Sequence, residues 1–198
     1  MELKEGIKTT SAKSASVWRK WLEKNHIKEK SVFLIIYRKK CEVPSVYYSE
    51  AVDEALCFGW IDSVPKKRDA ISYYLLFSKR NPKSNWSMVN KKKVEKLIKE
   101  GAMTEAGTKM IELAKATGTW TALDHVYDLK VPEDLQERLA KNKKALNYFE
   151  AFSPSSKRGI LEWIHSAKRL ETRQKRLKEI VRLAAQNIKA NQYQPSKK

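Results

Sequence analysis

Three stretches of the chain concentrate residue types that can do chemistry. The first is Leu56-Cys57-Phe58-Gly59-Trp60-Ile61-Asp62-Ser63. A helix ending at Gly59 releases the chain at Trp60 and then Asp62. An aspartate beside a large indole is partly desolvated and can act as a base or as a partner for arginine. The plainer account has Trp60 packing under a sheet, as tryptophan usually does, with Asp62 capping a turn.

The second stretch runs from Phe77 to Asn90. Lys79, Arg80 and Lys83 lie in a loop that leads into a helix start near Ser84 or Ser87. Cationic side chains next to free helical N–H groups can hold a phosphate or carboxylate. Trp86 can stack on a ring. The serines can equally be caps alone, with Trp86 an anchor of the loop. The third stretch is basic: Lys157-Arg158, Lys168-Arg169, then Arg173, Lys175 and Arg176. Arg169, Arg173 and Arg176 are spaced by four and three, so a helix places them on one face, where guanidinium groups can grip phosphates. Glu171 stands four residues before Lys175, which suits an ordinary solvated helix.

Other chemistry has no signature here. Nucleotide-binding glycine loops, the serine-hydrolase elbow, zinc-protease helices and CxxC pairs are all missing from the sequence. Cys41 and Cys57 are sixteen residues apart, and His26, His125 and His165 are scattered, so neither set has metal-ligand spacing. No metal and no cofactor is expected, and no pair of carboxylates is positioned for acid–base work.

The elements that must position these residues follow from periodicity. Ser16 is expected to cap a helix to about Asn25, after a loosely held leader over residues 1–13. Val32–Tyr37 is a continuous apolar, β-branched run and reads as a buried strand. Ser49 is expected to cap a helix over 50–58, with Gly59 as its left-handed end. Trp60–Val64 and Ile71–Phe77 read as further strands. A helix ends near Glu100, with Val94, Leu97 and Ile98 facing inward. Thr104 opens another helix and Gly118 closes it. Pro132 starts one more, and Lys143–Phe152 is a short helix. Ser153-Pro154 is a cap followed by a first-turn proline. It begins a helix of 30 or so residues, striped by Trp163, Ala167, Leu170, Gln174, Leu177, Val181, Ala184 and Ile188. The tail Gln192–Lys198 is expected to fray.

The fold class is therefore α+β. A small antiparallel sheet of about three strands carries helices, and a mostly helical C-terminal half ends in one long helix. The expected division is residues 1–118, which hold the first two stretches, and residues 119–198, a helical region packed on them. Among 198 residues, 41 are Lys or Arg and 23 are Asp or Glu, a net charge of +18. Residues 157–198 carry 12 basic and 3 acidic groups, half of the excess. Such a field attracts polyanions. No apolar run approaches the roughly 20 residues of a membrane span. The N-terminus has no secretory leader pattern and the cysteines suit a reducing compartment, so a cytoplasmic location is expected.

Four ordered blocks carry a family resemblance. Ala55-Leu56-Cys57-Phe58-Gly59-Trp60-Ile61-Asp62-Ser63 is similar to the "ALCFGWID" block of the YdeI/OmpD-associated family. Ser84, Trp86, Ser87 and Asn90 resemble its "S-x-W-S-x-x-N" block, and Gly101-Ala102-Met103-Thr104-Glu105-Ala106-Gly107 its "G-x-M-T-x-x-G". Trp163-Ile164, Ala167-Lys168 and Glu171-Thr172-Arg173 resemble its "WI-x-x-AK-x-x-ETR" helix. The blocks span about residues 17–190. Members often carry Pro-Arg after the strand, where this chain has Lys79-Arg80. The family is cytoplasmic and bacterial, and is named for bacteriocin protection and for association with an outer-membrane porin. It has no established catalytic residues, so the resemblance transfers none. It implies an indirect stress-response role, since a chain of this charge repels cationic peptides.

These readings converge on a non-enzymatic binding protein. Its expected pocket is lined by Trp60, Asp62, Arg80, Ser84, Trp86 and Asn90 and takes a small anionic ligand. The alternative is nucleic-acid binding through Lys168, Arg169, Arg173 and Arg176.

Overall fold

The computed structural model describes residues 2–192. Contacts divide the chain into two units, Met1–Ala122 and Leu123–Lys198. The first unit is built on a mixed sheet and the second is helical, as the composition of each half implies.

The centre of the first unit is β3 (Ser31–Tyr37), whose Val32, Phe33, Leu34, Ile35 and Ile36 are all buried. A strand covered on both faces reads as an unbroken apolar run. It pairs antiparallel with β6 (Ser72–Lys79) over seven residues. Beyond β6 lie β4 (Trp60–Asp62) and the two-residue β5 (Lys66–Lys67), both antiparallel to it. On the other side of β3 the sheet continues further than the sequence shows. β1 (Leu3–Lys4) and β2 (Ile7–Ser11) form a hairpin, and β2 runs parallel to β3. The hairpin turn has positive φ at Glu5 (54°) and Gly6 (74°), the pattern a tight two-residue connection needs. The segment expected to be a loose leader is thus an edge of the sheet. It is held further by Glu2, which accepts hydrogen bonds from Tyr74 and Arg68.

The crossover between the parallel strands is α1 (Ala15–Asn25), capped by Ser14 rather than Ser16. Its Trp18 is fully buried, stacks on Trp21 at 5.1 Å, meets Phe77 at 5.3 Å and donates its indole N–H to Ala51 O. α2 (Tyr48–Cys57) begins at Tyr47, not Ser49, and Glu50 accepts from the Tyr47 N–H. α3 (Met88–Lys99) is capped by Ser87 and buries Val94 and Leu97, but Ile98 is exposed. α4 (Glu105–Ala116) starts at the Thr104 cap.

One junction fixes α4 against the end of α2. The Cys57 carbonyl accepts from both the Thr104 N–H (3.2 Å) and the Thr104 hydroxyl (2.6 Å). Gly107 lies directly over it, and a Cβ there would sit 2.3 Å from the Cys57 oxygen. Two of the sequence blocks therefore meet each other.

The second unit holds α5 (Asp124–Tyr127), α6 (Glu133–Ala140), α7 (Lys143–Ala151), α8 (Pro154–His165) and α9 (Leu170–Ala184). Leu135, Leu139, Phe149, Ile160, Ile164, Leu177 and Ile180 fill its core. The expected 30-residue helix is divided at residues 166–169. The chain turns there and α9 packs on α6, α7 and α8. Arg176 bridges the break by donating to Trp163 O and to Ser166 Oγ. The expected stripe shifts accordingly: Leu170 is exposed, and Ile180 rather than Val181 joins Leu177 and Ala184 in the core. Gln174, its polar member, accepts from Arg138. Of the tail expected to fray, Gln192 donates to Ser156 O at 2.9 Å, and residues 193–198 lie outside the described residues.

Two helical glycines should respond oppositely to alanine. Gly107→Ala gains helix propensity but drives a methyl into the Cys57 carbonyl, so a net loss of about 1–3 kcal/mol is expected. Gly159→Ala meets nothing closer than Gln192 Nε2 at 3.5 Å, and should gain up to about 1 kcal/mol. Urea unfolding of the two variants checks both signs.

Candidate functional site

The candidate site is built around Arg80, the residue that follows β6. Gly59, at φ 71°, ends α2 in the left-handed region and turns the chain into β4. The Gly59 carbonyl accepts the Arg80 N–H at 3.0 Å, just past the Trp60–Lys79 pair of the β4–β6 ladder. Arg80 is 6% exposed, unusual for arginine. Its guanidinium lies 4.0 Å over the ring of Trp86, and Trp86 in turn meets Trp120 at 5.1 Å.

The polar partners of this cation are few. Nη2 donates to Asn85 O at 2.6 Å and to Ser84 O at 3.5 Å, while buried Nε has no acceptor. Burial pushes the pKa of Arg80 down to about 10, with no nearby carboxylate acting on it. The group still carries its charge at neutral pH, so among the described residues the fold holds a desolvated positive charge with no carboxylate paired to it. Such a charge is costly unless paired.

Arg80 forms part of the wall of an open hollow of about 790 Å³. Phe58, Trp60, Pro82 and Met110 supply most of its apolar surface, and Lys79, His26, Thr104 and the Glu105–Lys109 pair its polar rim. The size falls within the range of small-molecule sites. Several polar groups there are already engaged. Lys79 donates to Ile27 O at 2.6 Å, His26 Nδ1 to Leu22 O at 2.8 Å, and the Thr104 hydroxyl to Cys57 O. Lys109 lies 2.6 Å from Glu105 and holds that carboxyl below its ordinary range.

The residues expected to form one pocket divide into three groups. Trp60 and Arg80 line the hollow together. Trp86 and Ser84 stand behind Arg80. Trp86 is buried as its stacking platform, and Ser84 offers its carbonyl while its hydroxyl donates to Asn81 O. Asp62 and Asn90 are not among the residues lining the hollow. Asp62 sits two residues further along β4 and accepts from the Tyr48 hydroxyl at 2.8 Å. Asn90 is in the first turn of α3, where its N–H donates to the Ser87 cap. His26, Ile27, Thr104, Lys109 and Met110 are among the wall residues that the sequence reading did not place in a pocket, while Phe58 and Lys79 belong to the stretches it singled out. The signal that could have found them is the adjacency of the Gly59-Trp60 and Met103-Thr104 blocks.

The basic face of the second unit is largely committed internally. Arg173 donates through Nε and Nη2 to Asp134 at 2.6 and 2.9 Å. Arg176 closes the α8–α9 break and lies 5.0 Å over Trp163. Lys168 and Arg169 are exposed. Among the described residues no group of three His, Cys, Asp or Glu can hold a metal ion, and no helix is long and apolar enough to cross a membrane. Burial pushes the Cys57 thiol up to about 11, so it is not a ready nucleophile.

The fold and site thus define an α+β protein with a cation-walled cleft in its sheet-bearing unit. The chain belongs to the family of a domain of unknown function (DUF8412), whose family model matches residues 10–110. Residues 128–187 match the family described as bacteriocin-protection, YdeI or OmpD-associated; this match contains the last of the four blocks, and the first three fall within residues 10–110. No curated protein and no solved structure matches the chain.

An arginine kept for a ligand, rather than for the fold, should be dispensable to stability. Arg80→Met preserves the packing on Trp86 and removes the unpaired charge. It should melt at or above the wild-type temperature, a gain of up to about 2 kcal/mol. A loss of several degrees in a thermal melt would instead make the guanidinium a structural group.

Proposed function

We propose that the chain is a non-enzymatic binding protein whose cleft takes a small organic anion with an apolar body. The single observation that carries this reading is Arg80, buried, with no carboxylate partner among the described residues, and part of the lining of a mainly apolar hollow. An incoming carboxylate or phosphate supplies the missing negative charge, and Phe58, Trp60 and Met110 accept its hydrocarbon part. Charge-assisted hydrogen bonds formed away from water are among the stronger ones. The hydroxyl and imidazole in the wall already hold backbone carbonyls, which favours binding over a nucleophile and base.

The match of residues 128–187 to a bacteriocin-protection family supports a stress-response role. The role is indirect, because a net charge of +18 repels cationic peptides. Nucleic-acid binding through Lys168, Arg169, Arg173 and Arg176 is the weaker reading, since two of these four side chains already serve internal contacts.

The test compares octanoate with neutral octanamide in thermal-shift assays. Octanoate should stabilise the wild type by roughly 2.7 kcal/mol at about 100 times Kd. Octanamide should do much less, and Arg80→Met should lose the difference. Equal shifts from both compounds, or none from either, would refute the anion site.

A further inference from the structure

The second unit brings together two histidines that lie forty residues apart in the sequence. His125 on α5 and His165 at the end of α8 face each other with ring centroids 4.9 Å apart and planes at 55°. With Lys130 and Arg173 they wall a hollow of about 310 Å³, completed by Val131, Pro132 and Leu161. No carboxylate is among the lining residues. Two nearby carboxylates hold cations of the wall. Asp128 lies 3.3 Å from Lys130, and Asp134 holds Arg173 through Nε and Nη2, leaving Nη1 outside that pair.

We infer that this hollow is a second anion site, selective for a small dianion of the sulfate or phosphate type held between the two imidazoles, Lys130 and Arg173. Two imidazoles, a guanidinium and an ammonium border one cavity that has no carboxylate in its lining. A doubly charged tetrahedral oxyanion offers four acceptors to donors that converge from several elements. Divalent metals fit poorly, because Lys130 and Arg173 stand beside the imidazoles and the described residues provide no third ligand.

The charges around His165 account for the acid preference. Desolvation, then His125 and then Arg173, disfavour its charged form, while Glu162 on its own helix opposes them. The free protein therefore favours the neutral form of His165. A bound dianion favours its charged form instead, so affinity falls as pH rises. The site is independent of the Arg80 cleft, which lies in the other unit.

Sulfate is the suitable probe, because its charge stays constant across this pH range. Histidine ring signals of the full chain, followed by NMR during sulfate titration in chloride of matched ionic strength, report binding directly. His125 and His165 should shift saturably. Binding should be at least about tenfold tighter at pH 5.5 than at pH 7.5. His125→Gln and His165→Gln should each reduce that ratio, while Arg80→Met should leave it unchanged. Ring signals that do not respond to sulfate beyond the chloride control at pH 5.5 would overturn the site. An affinity equal at the two pH values would also overturn it.

Discussion

The first unit depends on how one carbonyl is satisfied. Cys57 ends α2, and its oxygen has no partner within the helix. Thr104 supplies two donors to it from the start of α4. That approach is possible only because Gly107 has no side chain to block it. The same closeness recurs one turn on, where a Cβ at Gly59 would lie 2.8 Å from Met110 Cγ. Gly59 must also take a positive φ for β4 to begin at Trp60. One contact therefore sets the ends of two helices and the start of a strand, and the space left between them is the cleft. The contact is made by backbone, a hydroxyl and a glycine hydrogen, which explains why Thr104 and Gly107 stand at these positions.

Arg80 is bound by a different constraint. Its guanidinium gains from the face of Trp86 and from the Asn85 carbonyl. Those gains are neutral-group contacts of about 1–2 kcal/mol, whereas stripping a full charge of water costs several. Stability alone would place an apolar side chain on Trp86. The Trp86–Trp120 pair under the charge makes this a built platform rather than an accident of packing. A structural arginine in this protein looks different: Arg173 forms a two-point pair with Asp134, and Arg19 pairs with Glu54 at 2.8 Å. Arg80 has the burial of those residues, and more, without their carboxylate.

How much of this was legible in the sequence depended on whether the cause was local. The β3 run, the Ser87, Thr104 and Ser153 caps and the glycine ends are local patterns, and they appear where the residues put them. The β1–β2 hairpin escaped because Ile-Lys-Thr-Thr-Ser carries almost no apolar signal, and its place comes from ladder bonds to β3. The α8–α9 break escaped because residues 166–169 contain neither glycine nor proline, and the turn is held from outside by Arg176. Trp60 and Arg80, expected in one pocket from separate stretches, both line the hollow. Asp62 does not, because two residues along a strand move a side chain roughly 7 Å. The burial of Arg80 and the meeting of His125 with His165 are tertiary facts with no local trace.

A motif shared with a family is often taken as a list of residues that touch a ligand, and this protein argues for a different partition. In the Ala55–Ser63 block, Cys57 and Gly59 hold the frame, Phe58 and Trp60 face the cleft, and Asp62 faces Tyr48. In the Ser84–Asn90 block nearly every residue works behind the site: one carbonyl for Arg80, one ring under it, one cap for α3. The cation itself lies outside both blocks, at the Lys79-Arg80 pair that ends β6, where this chain departs from the common Pro-Arg pattern. A lysine in place of that proline leaves a backbone N–H at position 79, and the Lys30 carbonyl accepts it at 3.1 Å. The β6 end is thereby tied to the residue preceding β3, and the Lys79 side chain is free to reach Ile27 O on the rim. The blocks thus preserve a scaffold for presenting a charge, and what the charge meets is set by the residues between them.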